Sequence, residues 1–172
     1  MALAYILLRM EDSMTKLSTS EQYKVGIESI DQAHGELFAL ITELKDITDS
    51  SLPSDRGQVV KHANYVLNRL LDYTVSHFAE EEYLLELFHV PGRNAHKKAH
   101  RVMERKLIEL YRGFKEEGLV VLPAITKLLE KWWVQHILNL DLKDLEGIHE
   151  HETPEGQQVF NKSYMPEEDQ VG

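Results

Sequence analysis

Two pairs of metal-capable side chains, each spaced by four residues and separated by one short turn, constrain this chain more than any other feature. His77 and Glu81 lie in the run HFAEE and His96 and His100 in HKKAH, with Pro91 and Gly92 between them. An α-helix advances about 100° per residue, so residues four apart stand about 40° apart on its surface, one turn above the other. Each pair therefore shares a face. Helices joined by so short a linker run antiparallel as neighbours, which sets an imidazole and a carboxylate on one helix opposite two imidazoles on the other. That is the beginning of a metal site.

The rest of the chain supplies helices to complete it. Residues 14–28 read as an arm in which Tyr23, Val25 and Ile27 alternate with polar neighbours, as in an extended segment lying against a core. Ser29 with Gln32 has the pattern of a capping box, and a first helix over 30–49 follows with Ile30, His34, Leu37, Ile41 and Leu44 on one stripe. Pro53, Ser54 and Asp55 mark a loop and a new helix start. A second helix over 55–88 carries Val59, Ala63, Val66, Leu70, Tyr73, His77, Glu81, Leu84 and Phe88 at steps of three and four. A third over 93–116 repeats the pattern through His96, His100, Met103, Leu107, Leu110 and Phe114, and Gly118 ends it. The fourth, over 120–146, has Pro123 in its first turn and then Ile125, Leu129, Trp132, His136 and Leu140. Four amphipathic helices with short loops predict an all-α, up-down-up-down four-helix bundle over residues 22–146. Residues 1–21 form an N-terminal extension, and the polar, acidic run after Gly147 reads as a disordered or loosely draped tail over 147–172.

Composition narrows the chemistry. A chain of 172 residues fits one domain with a sizeable core. Its net charge of −10 argues against nucleic acid and anionic membranes as partners. With no cysteine, nitrogen and oxygen are the strong metal donors that remain. The apolar run from Met1 to Leu8 is broken by Arg9, Glu11 and Asp12, too short to span a bilayer and a poor signal peptide. A cytoplasmic protein is expected, with Met14 as an alternative start that would make residues 1–13 dispensable.

Of the nine histidines, His34, His77, His96, His100 and His136 fall on buried stripes, spread over all four helices. A buried imidazole or carboxylate without a partner costs roughly 1–3 kcal/mol. A core holding five such rings together with Glu81 and Asp141 needs something to bind them, and cations answer that need. The order of His34 in SIDQAH, His77 and Glu81 in HFAEE, His96 and His100 in PGRNAHKKAH, and His136 and Asp141 in WWVQHILNLD resembles the hemerythrins, in particular their single-domain bacterial members. The resemblance implies two iron ions bridged by an oxo or hydroxo group, with O2 as a reversible ligand. It implies that His96, His100 and His136 hold one iron, that His34 and His77 hold the other, and that Glu81 and Asp141 bridge them, leaving an open position on the second iron. Imidazole and carboxylate suit iron, whereas structural zinc sites more often include cysteine.

His136 and Asp141 are five residues apart, about 140° around a regular helix. For both to face one site, either Asp141 reaches sideways or the helix bulges, most economically by taking up an extra residue as a single π turn. Leu37, Phe78, Trp133 and Ile137 flank the ligands and are candidates for the wall of an O2 pocket; ordinary core packing explains each of them equally well. Other signals are weaker. Glu86 with His89 and Glu146 with His149 have the ExxH spacing of ferritin-like di-iron proteins but sit at helix ends; His62 reads as a surface residue, and His149 and His151 as tail residues. An oxygen carrier, store or delivery protein is expected, with O2 and an oxygen-requiring client enzyme as partners. The competing reading is a di-iron enzyme or sensor acting on peroxide, nitric oxide or iron.

Overall fold

The computed structural model describes residues 21–49, 55–145 and Ile148. The extension over 1–20, Pro53 and Ser54, Glu146, His149, His151 and the tail beyond Ile148 lie outside the described residues. Within them the chain is helical and no strand occurs.

The arm alternates as expected, with Tyr23, Val25 and Ile27 buried and Lys24 and Gly26 exposed, although Glu21–Tyr23 is a 3-10 turn and not extended chain. Helix α1 runs Glu28–Asp49. Ser29 therefore lies inside its first turn and is not the cap, because another side chain sets the start. Asp31 reaches back, its Oδ1 accepting from the Val25 N–H at 2.7 Å and its Oδ2 from the Gly26 N–H at 3.2 Å. Gly26, at φ +86°, supplies the left-handed conformation that this turn requires.

Helix α2 runs Arg56–Leu87 with Asp55 as N-cap, its carboxylate accepting from the N–H groups of Gly57 and Gln58. It unwinds through His89, which takes φ +51° while its N–H donates to the Glu86 carbonyl. Glu86 itself pairs with Arg93 and Lys97, so the first ExxH spacing terminates a helix and holds no shared site. Helix α3, Arg93–Glu117, stops at Gly118 with φ +72°. A 3-10 turn over Gly118–Val121 leads into α4, Leu122–His136, with Pro123 in its first turn. The expected single helix over 120–146 is divided: a π segment, Ile137–Asp141, separates α4 from a closing turn, α5, Leu142–Leu145.

Helix α1 packs on α2 and α4, and α2 on α3. Their apolar stripes form a main core that includes Leu44, Leu70, Leu122, Leu129 and Trp133, all fully enclosed. A second cluster of Val25, Ile27, Ile30, Leu85, Leu145 and Ile148 closes the end where the arm and α5 meet. The polar ring stripe lies where these two apolar zones adjoin.

These boundaries separate two serine- or aspartate-led helix starts. Asp55→Ala should cost about 1 kcal/mol of stability through the lost cap, whereas Ser29→Ala should change it by less than about 0.5 kcal/mol. Urea unfolding of the two variants measures both.

Candidate metal centre

Helical position delivers each donor. His34 comes from α1, His77 and Glu81 from successive turns of α2, His96 and His100 from successive turns of α3, His136 from the last residue of α4 and Asp141 from the last residue of the π segment. All are buried. The π segment is what brings Asp141 round: one additional residue between His136 and Asp141 turns two side chains that a regular helix would splay onto one side, and their Nε2 and Oδ1 atoms stand 3.1 Å apart.

The donor atoms fall into two groups. In one, the Nε2 atoms of His100 and His136 are 3.0 Å apart and those of His96 and His136 3.2 Å. Asp141 Oδ1 stands 3.0 Å from His96 Nε2, and Glu81 Oε2 stands 3.1 Å from His100 Nε2 and 4.0 Å from His96 Nε2. An octahedron with bonds of about 2.1 Å has edges of about 3.0 Å and a span of about 4.2 Å, so this group has the dimensions of one coordination shell with five protein donors. In the other group, Asp141 Oδ2 lies 3.3 Å from His34 Nε2, and Glu81 Oε1 lies 3.8 Å from His34 Nε2 and 3.5 Å from His77 Nε2. Here four donors gather more loosely. Each carboxylate thus turns one oxygen to each group.

The protons on the imidazoles strengthen the case for a cation. His96 Nδ1 stands 3.1 Å from Asp144 Oδ2, and His100 Nδ1 stands 3.1 Å from Glu82 Oε1. A carboxylate only accepts, so both Nδ1 atoms carry the proton and donate it. Their Nε2 lone pairs then point at a common place. A proton on His136 Nε2 satisfies one of these neighbours at a time, while a cation satisfies all of them. Both ring nitrogens of His34 and His77 and all four oxygens of Glu81 and Asp141 are buried without a hydrogen-bond partner, which in a dry interior is tolerable only with a compensating charge.

The titration behaviour reports the same crowding. Burial works against charge at His34, yet the carboxylates of Asp141 and Glu81 outweigh it and raise this imidazole to about 9. At His77, burial prevails over the Glu81 and Asp141 carboxylates, with the neighbouring His34 and His100 acting in the same direction as burial, and lowers the ring to about 4. Burial and the adjacent Asp141 charge push Glu81 upward, but His77, His100 and His34 outweigh them and hold it well below the usual carboxylate range. Asp141 is likewise held low, burial notwithstanding, by His136, His34 and His96.

Leu37, Phe78, Trp133 and Ile137 are all buried, as a pocket wall or a core would be. Phe78 stacks on His100 with ring centroids 3.8 Å apart, and the Trp133 ring lies 5.4 Å from that of His77. Trp133 Nε1 and Thr74 Oγ1 are likewise buried without a partner. Sequence reasoning missed four contributors. Glu82 and Asp144 orient His100 and His96, and Trp132 stacks on His136 at 4.3 Å. Gly92 lets Asp144 approach, since a Cβ there would fall 2.7 Å from Asp144 Oδ1. The available signals were the third glutamate of HFAEEE and the aspartate three residues past Asp141. His62, exposed and paired with Glu43 at 2.7 Å, stands apart as expected.

The model of the hemerythrin HHE cation binding domain matches residues 25–146. The chain belongs to the hemerythrin family. Bacteriohemerythrin of Pseudomonas aeruginosa (strain LESB58) is 33% identical over 135 residues, covering 78% of this chain and 83% of that one. Bacteriohemerythrin of Stenotrophomonas maltophilia is 28% identical over 138 residues, covering 80% and 85%, and myohemerythrin of Sipunculus nudus 28% over 124 residues, covering 72% and 86%. Hemerythrins bind a di-iron centre, and the His and Glu cluster of this hemerythrin chain is able to hold metal ions.

Two outcomes follow from this geometry. Gly92→Ala, which forces Asp144 away from His96, should weaken metal binding by about 10- to 100-fold at unchanged helix content, read by metal titration beside circular dichroism. The second concerns the metal-free chain. With its pKa raised, His34 contributes stability that is complete below the unfolded value and lost as pH rises through about 9; with its pKa lowered, His77 contributes stability present above the unfolded value and lost as pH falls toward about 4. Metal-free stability should therefore peak near pH 6 to 7, and thermal melts across pH should show the alkaline decline flattened when metal replaces the His34 proton.

Proposed function

We propose that this chain binds O2 reversibly at a non-haem di-iron centre, as a carrier, store or delivery protein and not as an enzyme. His96, His100 and His136 would hold one iron and His34 and His77 the other, with Glu81 and Asp141 shared between the two groups. The observation that carries this reading is the division of each carboxylate between the two nitrogen groups, with five donors on one side and four on the other. Ferrous iron, when bound, would supply the electrons with which O2 is held.

The protein's part is to exclude water and to withhold protons. Leu37, Phe78, Trp133 and Ile137 form the pocket wall, and all four are buried. Apart from the metal-facing side chains, the buried groups without a partner are the Trp133 indole N–H and the Thr74 hydroxyl among the described residues, which are able to donate a hydrogen bond but do not act as acids at physiological pH. The up-down-up-down order of the four helices belongs to the same reading, since short connections favour antiparallel neighbours. So do a cytoplasmic location, favoured by the absence of cysteine, and an oxygen-requiring client enzyme. Among the described residues no helix is long and apolar enough to cross a membrane.

Anaerobic loading with ferrous iron should give two irons per chain, and the absorption spectrum should change on exposure to O2 and return when O2 is removed. One iron per chain, or native protein filled with zinc, would overturn the di-iron assignment. Rapid multiple-turnover consumption of peroxide or nitric oxide, abolished by His77→Ala, would favour the enzyme instead.

A further inference from the structure

A groove of about 330 Å³ opens at the surface between α3 and α4. Val102, Met103 and Leu128 form its walls, Lys106 and Lys131 its rim, and Trp132 reaches into it from α4. In a chain of net charge −10, two lysines beside an apolar groove stand out. Among the described residues Lys106 pairs only with Glu109, on the surface, and no acid pairs with Lys131.

Trp132 also touches the metal centre. Its ring lies 15° from parallel with the His136 imidazole at a centroid distance of 4.3 Å. It stands 5.1 Å from Trp133 and 5.8 Å from Phe78, and Phe78 in turn stacks on His100 at 3.8 Å and 6°. Trp132 is only half-buried, whereas His136 and Phe78 are enclosed. A continuous run of π systems therefore leads from the groove to two of the three imidazoles in the five-donor group. That side is nearly filled by protein atoms, so electrons reach it through its ligands and not by direct contact with a reductant.

We propose that Trp132 is the port through which the centre is re-reduced, and that the groove docks the donor, a free flavin nucleotide in its reduced form. This rests on the di-iron reading above. The planar flavin ring suits a narrow apolar slot edged by an indole, and its phosphate suits Lys106 and Lys131. The flavin hydroquinone anion gives one electron to one ferric ion, which becomes ferrous, and leaves as the neutral semiquinone. No covalent bond forms or breaks, and no proton moves. A second flavin reduces the second ion in the same way, and Trp132 bridges each transfer without being oxidised itself.

Flavin mononucleotide is the probe. Its fluorescence should be quenched by the metal-free protein, and the joint substitution Lys106→Glu and Lys131→Glu should weaken that binding about tenfold or more. In the iron-loaded ferric protein, mixed anaerobically with photoreduced flavin mononucleotide, Trp132→Leu should slow reduction about tenfold or more at unchanged iron content, while Trp132→Phe, which keeps a ring against His136, should retain most of the rate. Absence of quenching by the metal-free wild-type protein would overturn the docking site. Wild-type reduction rates in Trp132→Leu holding two irons would overturn the port; should that variant lose iron, an unchanged rate in the lysine variant would overturn the proposal equally. Failure of the di-iron reading would be visible beforehand, in the metal content of the wild-type protein.

Discussion

Convergence of like atoms in a dry interior governs this structure. Five imidazoles and two carboxylates meet inside a core otherwise made of leucine, isoleucine and aromatic rings, and neutral rings oriented this way repel one another through their lone pairs. Desolvation of each polar group amounts to roughly 1–3 kcal/mol, comparable in sum with the whole stability of a domain of this size. Bound cations turn the same convergence into net attraction. Hence the bundle and its metal depend on each other, as in other sites where coordination free energy is folding free energy.

Holding those donors in register requires departures from helical regularity, and the departures cluster around the site. The π segment after His136 gives up ordinary ladder bonds to swing Asp141 inward. Gly92 leaves out a side chain so that Asp144 can reach His96, although its own φ of −78° would suit any residue. Glu82 lies partly exposed, bonded to His100 on one side and within 3.9 Å of Lys97 on the other. Gly92, Asp144 and Glu82 lie outside the metal-facing set. Together they decide tautomer and direction, which distance to the metal alone does not.

Much of this was legible in the sequence. The steps of three and four placed His34, His77, Glu81, His96, His100 and His136 on inward faces, and the structure gathers all of them; the five-residue step to Asp141 implied a π turn, which lies where expected. Helix starts were read with uneven success. Asp55 caps as its position suggested, but Ser29 does not, because the competing acceptor, Asp31, lies farther along and reaches backwards, a contact that local patterns do not rank. Glu82 and Asp144 escaped notice for a different reason. Acids abound in a chain with 29 of them, and only the assembly of the helices reveals which two face an imidazole Nδ1.

Five donors gather tightly on the α3 and α4 side and four more loosely on the α1 and α2 side. The aromatic environment follows the same division. Trp133, fully enclosed, lies beside His77 and His34, where a ligand needs protection from water; Trp132, one residue earlier and rotated about 100° around α4, stacks on His136 and opens to the groove. Adjacent positions on one helix thus meet opposite surroundings, one enclosed beside His77 and His34 and the other open to solvent at the groove. A tryptophan at both positions gives each side a large rigid ring, and the turn between them keeps the two environments apart.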